Sequence, residues 1–168
     1  EAIGSWLDGP SGYVHVAPAG DNRVLAVMCH VEANDPPTDC STITYGGQAL
    51  TEAVEALQNQ TNSFGASAEI WILDEAGIAA ASSAQILATF TEPGNSPADT
   101  RRLSSQFFSN VDQADPIGEI GTDGENANNT QTLSVVLSGG ELDAGDMIIA
   151  NETMRSDQTG HVDWNWQN

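Results

Sequence analysis

The chain has 168 residues, 39% of them hydrophobic, with 24 acidic side chains against four arginines, no lysine and a formal net charge of −20. That length supports one domain with a core of its own, and the hydrophobic fraction argues against global disorder. The charge argues against nucleic acid and anionic membrane as partners, since each needs a basic face; no run of about 18 apolar residues is present, so no membrane-inserted helix is expected.

Residues 1–12, "EAIGSWLDGPSG", precede the first clear β pattern and read as an N-terminal extension, a donor or docking segment ahead of a β-sandwich domain over 13–168. "YVHVA" (13–17) alternates. "VLAVMCHVE" (24–32) is long and apolar. "STITY" (41–45) and "QALTEAV" (48–54) follow, separated by Gly46 and Gly47. A two-residue loop between β runs takes a type I′ or II′ turn, whose positive φ glycine accepts without steric cost. The spacing therefore predicts a hairpin pairing Ile43–Tyr45 with Gln48–Leu50. A phosphate-cradling loop is disfavoured, because no GK[ST] follows.

"TEAVEALQNQ" (51–60) fits a helix or a strand with a loop equally well. "AEIWILD" (68–74) is a strand with Trp71 in the core. "AGIAAASSA" (76–84) suits a helical turn or a surface connection. "SAQILATF" (83–90), "LSSQFFSNV" (103–111), "TLSVVLS" (132–138), "DMIIANE" (146–152) and "HVDWNW" (161–166) complete the β runs, with Gly, Pro, Asn and Asp clusters between them. Many short strands at fairly regular spacing predict an all-β fold, a two-layer antiparallel sandwich of jelly-roll or Ig-like type with about 8–10 strands.

Cys29 lies inside one apolar run and Cys40 opens the next. If those runs are adjacent strands, the pair forms a disulfide around "HVEANDPPTD", worth on the order of 2–3 kcal/mol; the alternative is two buried thiols. Neither cysteine belongs to a CxxC pair, which argues against a zinc knuckle.

Four stretches together resemble a family of bacterial secreted or surface β-sandwich modules: "HVAPAGDNRVLAVMCHVE" (15–32), "ITYGGQALT" (43–51), "AEIWIL" (68–73) and "FFSNVDQADPI" (107–117). The positions carrying the likeness are His15, Gly20, Arg23, Tyr45, Gly46, Gly47, Leu50, Glu69, Trp71, Val111, Asp112, Gln113 and Pro116. The likeness spans roughly residues 13 to 150. It implies a structural or adhesive unit without a catalytic set. Gly46, Gly47, Trp71, Arg23 and Glu69 read as scaffold, with Arg23 either pairing with Glu69 across strands or capping loop carbonyls. The absence of lysine and a chain stopping at "WNWQN" depart from the pattern. Together with the N-terminal extension, they suggest an unfilled sheet edge and a segment able to fill a neighbour's, with Trp6 or Leu7 as anchor.

The acidic excess suits solubility in a salty, halophilic or marine setting, where screening removes self-repulsion. It also suits calcium capture, for which Asp123, Glu125, Asp143 and Asp146 are the candidate ligands; the bland reading is a solvated surface. Trp164 and Trp166, two apart on a strand, would share a face and stack on a glycan, or else serve as core or interface tryptophans. The sequons at Asn59, Asn128 and Asn151 permit glycosylation. No GxSxG occurs and His15, His30 and His161 lack paired spacing, so no enzyme and no cofactor beyond calcium is expected. The opening "EAIGSW" suits a mature secreted chain. The expectation is a structural subunit of an extracellular assembly, a filament or coat, with itself as main partner. A carbohydrate- or calcium-binding adhesive module and a virion coat or decoration protein are the alternatives.

Overall fold

A computed structural model of the chain describes residues 1–33, 39–60, 64–91, 100–118, 120–122 and 147–150. The fold is an all-β sandwich of two antiparallel sheets. Among the described residues its strands are β1 (Ala2–Gly9), β2 (Val24–Ala33), β3 (Asp39–Tyr45), β4 (Gln48–Ala49), β5 (Thr51–Gln60), β6 (Phe64–Leu73), β7 (Ile86–Thr91) and β8 (Thr100–Phe108), with one short helix, α1 (Glu75–Ala80), between β6 and β7. One sheet has five strands in the order β1-β8-β2-β6-β5; the other has three, β4-β3-β7.

Period-two patterning builds the core. On β2, Leu25, Val27, Cys29 and Val31 all point into the gap between the sheets and are fully buried. Ile43 and Tyr45 of β3, Trp71 and Leu73 of β6, Ile86 of β7, and Leu103 and Phe107 of β8 meet them there. Residues 12–15 extend the smaller sheet beyond β7: Gly12 N–H donates to Ile86 O, Ile86 N–H to Tyr13 O and His15 N–H to Ala84 O. The expected strand at 13–17 is thus reduced to a bridge at Val14.

The Gly46–Gly47 turn forms as expected, with φ of 54° and 88° and Tyr45 opposite Gln48. Leu50 then carries the chain from the small sheet to the large one. Its N–H still donates to Ile43 O at 2.9 Å while its side chain is buried. The next residue begins β5, so "TYGGQALT" encodes a hairpin and a change of sheet in eight residues. Residues 51–60 are therefore strand, not helix. Helix α1 is capped by Asp74, whose Oδ1 accepts the Gly77 N–H at 2.8 Å. Residues 147–150, expected within a strand, form none.

Candidate functional site

Three places gather the residues singled out in the sequence. The first is the edge of the five-stranded sheet. The segment read as a detached extension forms β1, hydrogen-bonded to β8, and Glu1 and Ser109 exchange both backbone hydrogen bonds at 2.8 Å. None of its residues is buried, and its register with β8 shifts between Ile3 and Leu7. Trp6 packs edge-on against Phe108, yet stays 47% exposed, and Leu7 is 37% exposed. A strand held mainly by backbone bonds is the kind of edge that another chain can pair with or replace.

The second place is one end of the sandwich. Arg23 forms a two-pronged ion pair with Glu75 on α1, and its Nη1 donates to Pro18 O at 2.9 Å. The expected Arg23–Glu69 pair is not present; carbonyl capping by Arg23 is. The cross-strand idea fails because Arg23 precedes β2 and lies beside α1, while Glu69 faces the core further along β6. Glu75 is held further by Gln113, whose Oε1 accepts the Glu75 N–H at 2.8 Å. Val111 N–H donates to Asn22 O, so the Gly20–Arg23 and Val111–Gln113 stretches meet here. The Arg23 partner holds the Glu75 carboxyl below its ordinary range. Beside this end lies a groove of about 260 Å³ lined by residues including Thr51, Leu73, Asp74, Gln113 and Pro116.

The third place is inside the sandwich. Ser67, Glu69 and Trp71 alternate along β6 and face inward. Glu69 is 1% exposed and its carboxylate accepts three hydrogen bonds: from Cys40 N–H at 2.8 Å and Ser67 Oγ–H at 2.9 Å on Oε1, and from Trp71 Nε1–H at 2.8 Å on Oε2. Burial raises its pKa above the ordinary carboxylate value, and these three donors offset only part of that rise. Cys29 on β2 is the cross-strand partner of Glu69. Cys40 faces it from the other sheet. The adjacent-strand placement behind the expected Cys29–Cys40 disulfide is therefore corrected: β2 and β3 belong to different sheets, and in the structure both residues are buried thiols. Their sulfurs and a Glu69 oxygen lie within 4.8 Å of one another. A hydrogen bond to Cys40, followed by burial, raises the Cys29 thiol well above its usual range.

Nearby, His15 Nδ1 and Ser105 Oγ are hydrogen-bonded at 2.6 Å, and the imidazole packs edge-on against Phe107. Tyr45 Oη–H donates to His15 O at 3.1 Å. His15 is 4% exposed and Ser105 fully buried, so the pair is a core hydrogen bond. Burial lowers the His15 pKa.

Sequence reasoning missed Ser67, Ser105 and Gln106 as buried polar residues. A signal for the first was available: Ser67, Glu69 and Trp71 sit at spacing two on an otherwise apolar strand, so an inward acid must find donors on its own face. Asp123, Glu125, Asp143, Asp146, Trp164 and Trp166 lie outside the described residues, as do Asn128 and Asn151. Asn59 falls within β5. No family model, curated protein or solved structure matches the chain.

Proposed function

We propose that the chain is a structural subunit of an extracellular assembly, a surface filament or coat, whose copies join through the N-terminal strand. The observation that carries this reading is β1: an edge strand with no buried residue, presenting Trp6 and Leu7 to solvent. In strand donation, β1 leaves its own β8 and pairs with that of a neighbour, which costs little because few side chains must be unpacked. The residues that resemble secreted sandwich modules favour the same reading: they build the Gly46–Gly47 corner, the Arg23–Glu75 end and the Glu69 cluster, all of which stiffen the subunit. With a net charge of −20, subunits repel one another at low salt and associate more readily once the charges are screened.

The test is the mass of the purified chain by sedimentation and light scattering, from about 50 mM to about 2 M sodium chloride, with and without a calcium chelator. Higher oligomers that strengthen with salt are expected, and Trp6→Ala/Leu7→Ala is expected to shift them to monomer without loss of fold. A monomer at every salt concentration refutes the reading; a monomer that binds glycan supports the adhesive alternative.

A further inference from the structure

The inner face of the sandwich holds a juxtaposition that the assembly reading does not use. Cys29 and Glu69 are neighbours on the large sheet, and both point into the gap. Across that gap Glu69 accepts the backbone N–H of Cys40 at 2.8 Å, tying the small sheet to the large one where the two sulfurs lie within 4.8 Å of one another. We propose that Cys29 and Cys40 are the halves of a redox-formed covalent crosslink between the two sheets, with Glu69 as the positioning residue that holds Cys40 over Cys29.

Two other uses of the cluster fit less well. A structural zinc ion takes four ligands at fixed short distances. The described residues bring together three candidate ligand atoms here, and both Glu69 oxygens already accept from N–H or O–H donors. A purely inert thiol pair does not explain why a buried carboxylate spends one acceptor site on the backbone of Cys40. A disulfide needs only the two sulfurs, which already lie within 4.8 Å of one another and must close to a bond of about 2.05 Å.

The oxidant is a low-molecular-weight disulfide. The Cys40 thiolate attacks one of its sulfurs, forming a mixed disulfide and releasing a first thiolate. The Cys29 thiolate then attacks the Cys40 sulfur and releases a second. Two electrons pass from the cysteine pair to the oxidant, and the two cysteine protons end on the two departing thiols. Cys29 is fully buried and Cys40 3% exposed, so exchange takes place as the sheets come together during folding, and the finished bond is shielded from reductant.

The unfolded, reduced chain is refolded with reduced and oxidised glutathione, trapped with an alkylating agent and weighed by mass spectrometry. The expected product carries one intramolecular bond and no alkylated cysteine. Its unfolding equilibrium constant is expected to be roughly a hundredfold smaller than that of the reduced protein. Cys29→Ser/Cys40→Ser is expected to lose all dependence on reductant. The role of Glu69 is read from the glutathione equilibrium constant of the pair: Glu69→Leu lowers it at least about tenfold, whereas Gly47→Ala, at the far end of β3 from Cys40, does not. Two alkylated cysteines after refolding, or stoichiometric zinc retained by the thiol form, overturns the crosslink. Equal effects of Glu69→Leu and Gly47→Ala overturn the positioning role.

Discussion

Replacing Glu69 tests whether a buried carboxylate organises this core. Glu69→Leu keeps approximate volume but removes the acceptor for three donors. The Ser67 hydroxyl can rotate toward another acceptor. The Cys40 N–H and the Trp71 Nε1–H are fixed by their strands and cannot. Each buried donor left without an acceptor costs about 1–3 kcal/mol, and the loss is only partly offset because a buried charge no longer has to be desolvated. The expected destabilisation is about 3–5 kcal/mol. Glu69→Gln keeps one oxygen, which can still serve Cys40 and Ser67, but turns an amide NH2 toward the Trp71 N–H, donor against donor. It should cost about 1–3 kcal/mol. Urea unfolding followed by tryptophan fluorescence measures both, with the slope checked for two-state behaviour. The Glu69→Gln/Trp71→Phe cycle should show favourable coupling, since the double variant no longer opposes two donors. If Glu69→Leu and Glu69→Gln both unfold within about 0.5 kcal/mol of the parent, the carboxylate is not an organising group and the argument fails.

Three further outcomes follow from the geometry. Gly46→Ala should destabilise by well over 1 kcal/mol and Gly47→Ala by only about 1 kcal/mol in thermal unfolding, because both have positive φ but an added Cβ at Gly46 would lie 2.2 Å from Ser83 O while that at Gly47 meets nothing nearer than 3.9 Å. His15 has a folded pKa depressed below the ordinary 6.5, so its contribution is complete above that value and is lost as pH falls. The stability difference between the parent and His15→Gln should therefore shrink between pH 7.5 and pH 5, as read by paired urea titrations. Arg23→Lys, which keeps the charge but loses the planar fork on Glu75 and the bond to Pro18 O, should cost about 0.5–1 kcal/mol in the same assay, a modest figure because the pair is partly exposed.

Much of the fold was legible because β structure writes itself locally. The alternation in "VLAVMCHVE" and "AEIWILD" marks inward and outward positions two residues apart, and two adjacent glycines between β runs leave only a tight turn. The ambiguity at residues 51–60 had a physical source: Ala, Glu, Leu and Gln favour a helix on intrinsic grounds, and pairing with β6 along the whole segment overrides that preference. The same limit applies to the candidate sites. That Glu69 would face inward beside Trp71 could be read from spacing; that it would reach the backbone of Cys40 could not, since the partner lies 29 positions away on another layer.

By itself, then, the sequence determined the all-β character, the Gly46–Gly47 corner and the acidic surface, since each depends on residue type and on neighbours a few positions away. Tertiary structure alone decided which strands share a sheet, that Leu50 is where the chain changes layers, that Arg23 meets Glu75 instead of Glu69, and that Cys29 and Cys40 face each other across the core. Those outcomes are set by how two sheets pack and close over a common interior, and contacts between residues distant in the chain leave no periodic trace along it.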